Sequence, residues 1–413
     1  MIPDWPEEPF ERALVVAAHP DDETLGAGGL LQRLHAAGTA VTLVVATDGE
    51  AAFPAAGADE RRELGRTRRR ELRDSLRAQG LSEVEPVWLG LPDSGLASCG
   101  DELTAAVRAH ADGHDLCLLP WPDDPHPDHQ AVARAALAAA PVSAQCWSYP
   151  IWLWHRLRRD DPVIPWPRAR SVRLTEAERD AKAAAIATFT SQLKPGPRGE
   201  EPILPEEVLA HFSGGSEVFF REPPRTSAPV SRFASLYAAA DDPWSVATKW
   251  YERRKRAMVL ACLPDEHYGT VVEPACGVGA LTRDLAARAD RVVAFDPVAA
   301  AVERTRAAVA DLSHVDVHIG AVPSALPAGP VDLVVYSELL YYLADDALTA
   351  TIEASAAALR PGGHLLAVHW LPWAPEAPRD GRDAHAQLLA HPAFEPSVAH
   401  TDEEFLLHVL RRR

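Results

Sequence analysis

Short apolar runs alternate with stretches of helical period along the first half of the chain. "ALVVAAH" (13–19) reads as a buried strand, and "TLGAGGLLQRLHAAG" (24–38) as a helix closed by Gly38. "AVTLVVATDG" (40–49) is a second strand, and "DERRELGRTRRRELRDSLRAQG" (59–80) an amphipathic helix closed by Gly80. "VEPVWLGLPD" and "DLCLLPW" supply a third and a fourth strand. Residues 222–232, "EPPRTSAPVSR", have linker composition. The pattern then restarts. "WSVATKWYERRKRAMVLACLP" is helical, and "TVVEPACGVG" is a strand running into a Gly turn. "RVVAFDPV" is a strand, "VDLVVYSELLYYL" a strand then a helix, and "GGHLLAVHW" a late strand.

Strands alternating with helices predict parallel sheets wrapped by helices. The fold class expected is α/β, with two Rossmann-like three-layer αβα domains and mostly parallel sheets. The boundaries expected are 1–222 for the first domain, 223–232 for a linker and 233–413 for the second. A length of 413 residues exceeds one ordinary core and agrees with two. In such sheets ligands bind beyond the carboxyl ends of the strands, where "HPDDE" and "WPDDPHPDHQ" both fall.

Acidic residues outnumber basic ones by 59 to 41, giving a net charge of −18, which argues against a nucleic-acid partner. No run approaches the ~18 apolar residues of a membrane helix, and the acidic, Pro-containing start lacks a signal-peptide pattern. The five cysteines form no C-x-x-C pair. A cytoplasmic protein with reduced thiols and no membrane partner is expected. The oligomeric state is not readable.

Asp and Thr are good helix N-caps, so Asp22 or Thr24 can simply cap the helix that follows "HPDDE". The pairing of "HPDD" with "HPDH", each at a strand end, points further. A catalytic zinc takes three protein ligands and leaves a position for water. His19, Asp22 and His129 are assigned as metal ligands. Asp21 is left beside the metal as general base. His126 is left to stabilise the oxyanion and, as imidazolium, to protonate the leaving amine. Asp128 can orient an imidazole from behind.

"AHPDDETLGAGG" together with "PHPDHQ" resembles the PIG-L/LmbE family of zinc-dependent de-N-acetylases, over about residues 12–220. The resemblance implies removal of acetyl from an N-acetylated amino sugar. It implies the same roles for Asp21, His126, His19, Asp22 and His129. "RRREL" and "LGLPDSGL" also resemble family segments, which implies that Arg68 and Asp93 hold sugar hydroxyls. A surface ion pair is the other reading of those two.

In the second half, Gly277 and Gly279 leave room for a ligand against the backbone, and Asp296 ends the next strand where it can accept ribose hydroxyls. The block resembles class I S-adenosylmethionine-dependent methyltransferases, and its NodS-like branch in particular, over about residues 233–370. That resemblance implies Glu273 near the methionine amino group. Ala275 stands in place of the usual first glycine. The Ala321 and Val322 backbone would serve the adenine, because the usual acid is missing there. Glu338 and His369 fall at strand ends where they can accept the amine proton, although a solvated helix start and a satisfied histidine are equally good readings. Tyr342 reads as core packing. Trp244, Trp250 and Tyr251 are read as core or as a cover over the cofactor.

Together the halves imply a bifunctional enzyme that uses Zn2+, or another divalent metal, and S-adenosyl-L-methionine. It would de-N-acetylate a small N-acetylated sugar or glycoside and then N-methylate the released amine. The alternatives are an uncoupled O- or C-methyltransferase, or a non-catalytic regulatory domain that binds the cofactor.

Overall fold

Strand β1 (Arg12–Ala17) sends Ala13 and Val15 into one apolar cluster and Leu14 and Val16 into another. A strand buried on both faces must be apolar at every position, which is why the run does not alternate. β2 (Ala40–Val45), β3 (Val87–Trp88), β4 (Leu116–Pro120) and β5 (Gln145–Tyr149) lie parallel to it. β6 (Ala169–Arg173) and β7 (Ser216–Arg221) complete a seven-stranded sheet of order β3-β2-β1-β4-β5-β7-β6. β7 runs antiparallel to both of its neighbours.

In the second half, β8 (Tyr268–Pro274), β9 (Ala289–Asp296), β10 (Val315–Ile319), β11 (Val331–Ser337) and β12 (Leu359–Trp370) are parallel. β13 (Phe394–Thr401) and β14 (Phe405–Arg412) follow, giving the order β10-β9-β8-β11-β12-β14-β13. β14 is antiparallel to β12 and β13. The two halves therefore share one strand order. In each, the order reverses between the first and fourth strands, which opens a crevice at their carboxyl ends.

This computed structural model describes residues 2–6 and 8–413, and the chain separates into two units, Met1–Glu222 and Pro223–Arg413. Both are α/β units with helices interleaved between the strands. Among the described residues no helix is long and apolar enough to cross a membrane.

The helix Asp22–Ala36 carries the glycines of "LGAGG" for packing. A Cβ on Gly26 would come within 2.3 Å of the Tyr149 ring, and one on Gly29 within 2.3 Å of Leu174. Three differences from the sequence reading stand out. β3 keeps only two residues of its apolar run. The helix expected after β11 is a single 3-10 turn, Leu340–Tyr342. The stretch read as linker belongs to the second unit: the Ala228 N–H donates to Tyr342 O at 2.8 Å and the Ala344 N–H to Ser227 Oγ at 2.9 Å. The helix Val230–Ala239 begins inside that stretch.

Candidate active sites

The first crevice is built by the turns leaving β1 and β4. After β1 the Ala18 and His19 amides donate to Asp22 Oδ2, at 3.1 and 2.8 Å, which folds the carboxylate back into the turn. The N-cap of the following helix is Asp21, without a side-chain cap bond, so neither Asp22 nor Thr24 fills the capping role. Asp21 holds φ at 144°, a strained value for a non-glycine residue. After β4, His126 is the N-cap of the helix Pro127–Ala139, and its Nδ1 accepts the Asp128 N–H at 3.2 Å. Pro127 takes the first helical position, where its missing N–H does no harm. "HPDH" is thus a helix start.

The turns bring the three imidazoles together. Ring centroids of His19 and His126 are 4.9 Å apart, and those of His126 and His129 are 4.7 Å apart. Asp22 stands between the other two: its Oδ2 is 3.5 Å from His19 Nδ1 and its Oδ1 is 3.2 Å from His129 Nε2. His129 Nε2 is buried and makes no hydrogen bond. Ligand atoms of His19, His126 and His129 lie within 4.8 Å of one another, as do those of His19, Asp93 and Asp128. Imidazoles interleaved with carboxylates suit a divalent cation of the zinc type.

Arg68 is buried and the Asp93 side chain is only 5% exposed, so neither belongs to a surface ion pair. Arg68 donates to Asp21 Oδ2 at 2.9 Å, to Pro20 O at 2.9 Å and to Gly49 O at 3.0 Å. Gly49 (φ +63°) is needed there, because a Cβ would come within 1.9 Å of the guanidinium. Asp93 Oδ1 is 3.1 Å from His19 Nε2, and its Oδ2 accepts the Ala51 N–H at 2.7 Å. Asp128 Oδ2 is 3.4 Å from the same His19 nitrogen and accepts the Ser94 N–H at 2.7 Å.

Burial pushes the Asp21 carboxyl up to about 6, with Arg68 pulling the other way. Burial, then the charges of His129 and His19, takes His126 down to about 4. That direction favours the neutral ring and disfavours the imidazolium expected from the sequence. With Nδ1 accepting a backbone N–H, the neutral ring carries its proton on Nε2.

Two residues escaped the sequence reading. Asp124 is fully buried, with Oδ1 3.0 Å from His129 Nδ1. Its place two positions before His126 was the available signal, since ligating histidines commonly carry a carboxylate on the other nitrogen. Gln192 is also fully buried; its Oε1 has no partner and the residue lines the crevice. No local pattern singles it out.

The second crevice opens beyond β8 and β11, as a cavity of about 870 Å3. Glu273, Ala275, Gly277, Asp296, Ala321, Val322 and Glu338 all line it. Glu273 is buried with Oε2 unpartnered, and burial pushes its carboxyl up to about 8. Asp296 accepts the Gly277 and Val298 amides, at 3.2 and 2.9 Å, which fixes its carboxylate at the end of β9. Ala275 adopts φ 56° without being glycine, and Gly277 has φ 61°. A Cβ on Gly277 would meet Tyr237 Oη at 3.2 Å. Gly279 does not line the cavity; a Cβ there would come within 2.9 Å of Thr305 Cα, so packing against the next helix requires it. An unpaired buried acid beside an open Gly turn suits the ammonium of an amino-acid-bearing nucleoside.

Glu338, at φ 57°, gathers four donors: Lys255 Nζ at 2.7 Å, Tyr341 Oη at 2.7 Å, the Trp370 N–H at 2.9 Å and Tyr251 Oη at 3.3 Å. It is half-buried and precedes the 3-10 turn rather than starting it. His369 is withdrawn from the acceptor side. It is fully buried and does not line the cavity, its Nε2 accepts the Leu340 N–H at 2.9 Å, and its Nδ1 lies 2.7 Å from His385 Nε2. Tyr342, read as core, packs against a core cluster and also lines the cavity, as do Trp244 and Tyr251, whereas Trp250 is largely exposed.

The two crevices define a double α/β enzyme, one half a deacetylase and the other a methyltransferase. A family model of GlcNAc-PI de-N-acetylase, PIG-L, matches residues 14–140, and one of nodulation protein S, NodS, matches residues 231–368. Nodulation protein S of Rhizobium tropici is 31% identical over 42% of this chain and 69% of its own length. The 1D-myo-inositol 2-acetamido-2-deoxy-alpha-D-glucopyranoside deacetylase of Rhodococcus erythropolis is 30% identical over 48% of this chain and 87% of its own. The crystal structure of N-methyltransferase NodS from Bradyrhizobium japonicum WM9 with S-adenosyl-l-homocysteine is 24% identical. It covers 44% of this chain and 97% of that one, with a TM-score of 0.40. The chain belongs to the PIG-L deacetylase family through its first half and to the NodS methyltransferase family through its second.

Proposed function

We propose that the chain removes acetyl from an N-acetylated amino sugar or glycoside in a metal-dependent reaction and then N-methylates the amine with S-adenosylmethionine. The observation that carries this is the convergence of His19, Asp22 and His129 beside Asp21, in the same chain as a Glu273–Asp296 cradle.

His19, Asp22 and His129 would hold the divalent cation. When bound it supplies Lewis acidity toward the acetamide carbonyl and lowers the pKa of water toward about 7. Asp21, raised by burial to about 6, accepts the proton as water attacks the carbonyl carbon. Arg68, donating to Oδ2, holds the Asp21 carboxylate in place. His126 donates its Nε2–H to the oxyanion. The proton on Asp21 then passes to the leaving nitrogen. The C–N bond then breaks, giving acetate and an amine.

In the second unit Glu273 would receive the cofactor's ammonium and Asp296 its ribose hydroxyls. The cofactor supplies the methyl group. Glu338 would face the acceptor amine, held by its four donors, and take a hydrogen bond from it.

The test is mass spectrometry of acetylated and free-amine sugars with zinc and S-adenosylmethionine. The expected products are the amine and then an N-methylated amine. Methyl appearing only on oxygen or carbon would overturn the sequence of steps. Asp21→Asn should keep the metal and lose most hydrolysis; loss of the metal instead would reverse the split between base and ligand.

A further inference from the structure

Three histidines of the second unit take no part in the chemistry above. Antiparallel pairing sets His369 opposite Leu406 and His408 opposite Ala367, so the two imidazoles leave the β12–β14 pair on one face, at diagonal positions. The helix Gly381–Ala390 comes close to that face: a Cβ on Gly381 would lie 3.0 Å from His369 Cβ. His385 of this helix stands between the two rings. Its Nε2 is 2.7 Å from His369 Nδ1, and its Nδ1 is 2.7 Å from His408 Nδ1.

The inner end of this row meets a backbone donor. The Leu340 N–H lies 2.9 Å from His369 Nε2, so that nitrogen must be bare. In a neutral ring the proton is then on Nδ1 and is donated to His385 Nε2. His385 in turn carries its proton on Nδ1 and donates it to His408 Nδ1, which leaves the His408 proton on Nε2. One amide thus fixes three tautomers. Burial lowers the pKa of all three rings, which keeps them neutral. Reversing any one of them would set two N–H groups against each other. Leu340 is fully buried and opens the 3-10 turn Leu340–Tyr342, whose first N–H groups have no partner within the turn. The next residue, Tyr341, lines the cavity, lies 5.1 Å from the His369 ring centroid and donates to Glu338 Oε2 at 2.7 Å. Glu338 keeps its left-handed φ of 57° only because its surroundings over-determine it. Three apolar side chains would fill the same space and offer Leu340 no acceptor.

We propose that His369, His385 and His408 are positioning residues for methyl transfer: a one-way hydrogen-bonded row that fixes the turn Leu340–Tyr342 and, through Tyr341, the Glu338 carboxylate. None of the three lines the cavity. The inference rests on the reading of Glu338 as the group that faces the acceptor amine. The order of the row is measured without turnover, so the two can fail separately.

The experiment uses the full chain. Nitrogen-15 NMR of labelled histidines at neutral pH should place the proton on Nδ1 of His369 and His385 and on Nε2 of His408. In His385→Leu the Leu340 amide should exchange its hydrogen at least about tenfold faster, although it is His369 that bonds it, while the β11 amides are unchanged. With the methyl glycoside of glucosamine as acceptor, His369→Leu should lower the methylation kcat by about tenfold or more. Its affinity for S-adenosylhomocysteine, read by calorimetry, should be unchanged. His369→Gln, which offers Leu340 a carbonyl oxygen, should retain most of kcat. A proton on His369 Nε2 overturns the inference. So does unchanged Leu340 exchange in His385→Leu, or a kcat loss in His369→Gln equal to that in His369→Leu. If His369→Leu fails to fold, His385→Leu must lower kcat with cofactor affinity kept, or the inference falls. An unmutated chain that methylates no amine refutes the acceptor reading and with it the role of the row, whose order NMR still reads.

Discussion

The guanidinium of Arg68 donates to the carboxylate of Asp21 across 2.9 Å, with both side chains buried. Arg68, expected from resemblance to touch substrate, lines the crevice and donates to the proposed base and to two backbone carbonyls. Arg68→Ala should therefore lower the deacetylation kcat by about 100-fold while leaving zinc content unchanged. Gly49→Ala should mimic it, because the new Cβ occupies the guanidinium's place. Steady-state kinetics beside metal analysis checks both.

Asp124 sits behind His129 and fixes which ring nitrogen carries the proton. Asp124→Ala should weaken zinc binding by about 10- to 100-fold. Competition with a chromophoric chelator measures this, and an unchanged affinity would remove Asp124 from the site.

Gln192 brings an unpaired amide oxygen to the crevice. Gln192→Ala should raise KM by about fivefold with little change in kcat, the effect of one lost hydrogen bond to substrate.

Glu273 has a buried carboxyl with one oxygen unpaired, pushed up to about 8 by burial. The folded unit therefore binds this proton more tightly than the unfolded chain does. Stability is lost as pH rises from the ordinary carboxylate range toward 8. Glu273→Gln should weaken S-adenosylmethionine binding by about 10- to 100-fold, and it should raise the melting temperature of the unliganded protein at pH 8. Calorimetry and thermal melts read the two effects, whose opposite signs separate a ligand-binding acid from a structural one.

Buried His369 and His385 and half-buried His408 form a chain, with 2.7 Å between successive nitrogens. Burial lowers all three; it takes His369 to about 3, with Lys255 adding to the effect, and His385 to about 2, with the neighbouring histidines adding. Neutral histidines in the fold become charged on unfolding at low pH. The stability they provide is complete above about 6.5 and falls as pH drops below it, by up to about 1.4 kcal/mol per pH unit for each fully buried ring. His385→Leu should flatten the fall in melting temperature of this unit between pH 7 and 5.

Much of the central sheet was legible. The runs of β1, β2, β4, β8, β9, β11 and β12 are apolar because both faces are covered, and such runs are conspicuous. β6, β10 and β13 are short or partly exposed, and carry charged and polar residues that local patterning does not separate from loop. The turn after β11 read as helix from its leucines and tyrosines. It is short because Glu338 takes a left-handed φ and its carboxylate is held by donors from the helix Trp250–Cys262 and from β12. His369 misled because a strand-end histidine has the same local signature whether it faces a cavity or a core.

By itself the sequence determined the chemistry available: which residues carry imidazoles, carboxylates and glycines, and that they follow apolar strands. Those are local properties, set by residue type and spacing. The tertiary structure alone decided which of them meet. Gln192 lines the first crevice together with His19 and His126, far from it in sequence, and Ile151 and Trp152 reach the Asp124 carboxylate because β4 and β5 are neighbours. His369 leaves the methyl-acceptor side because its ring turns toward His385 rather than the cavity. Contacts between residues far apart in sequence follow from how strands order and helices pack, and no local pattern of side chains contains that order.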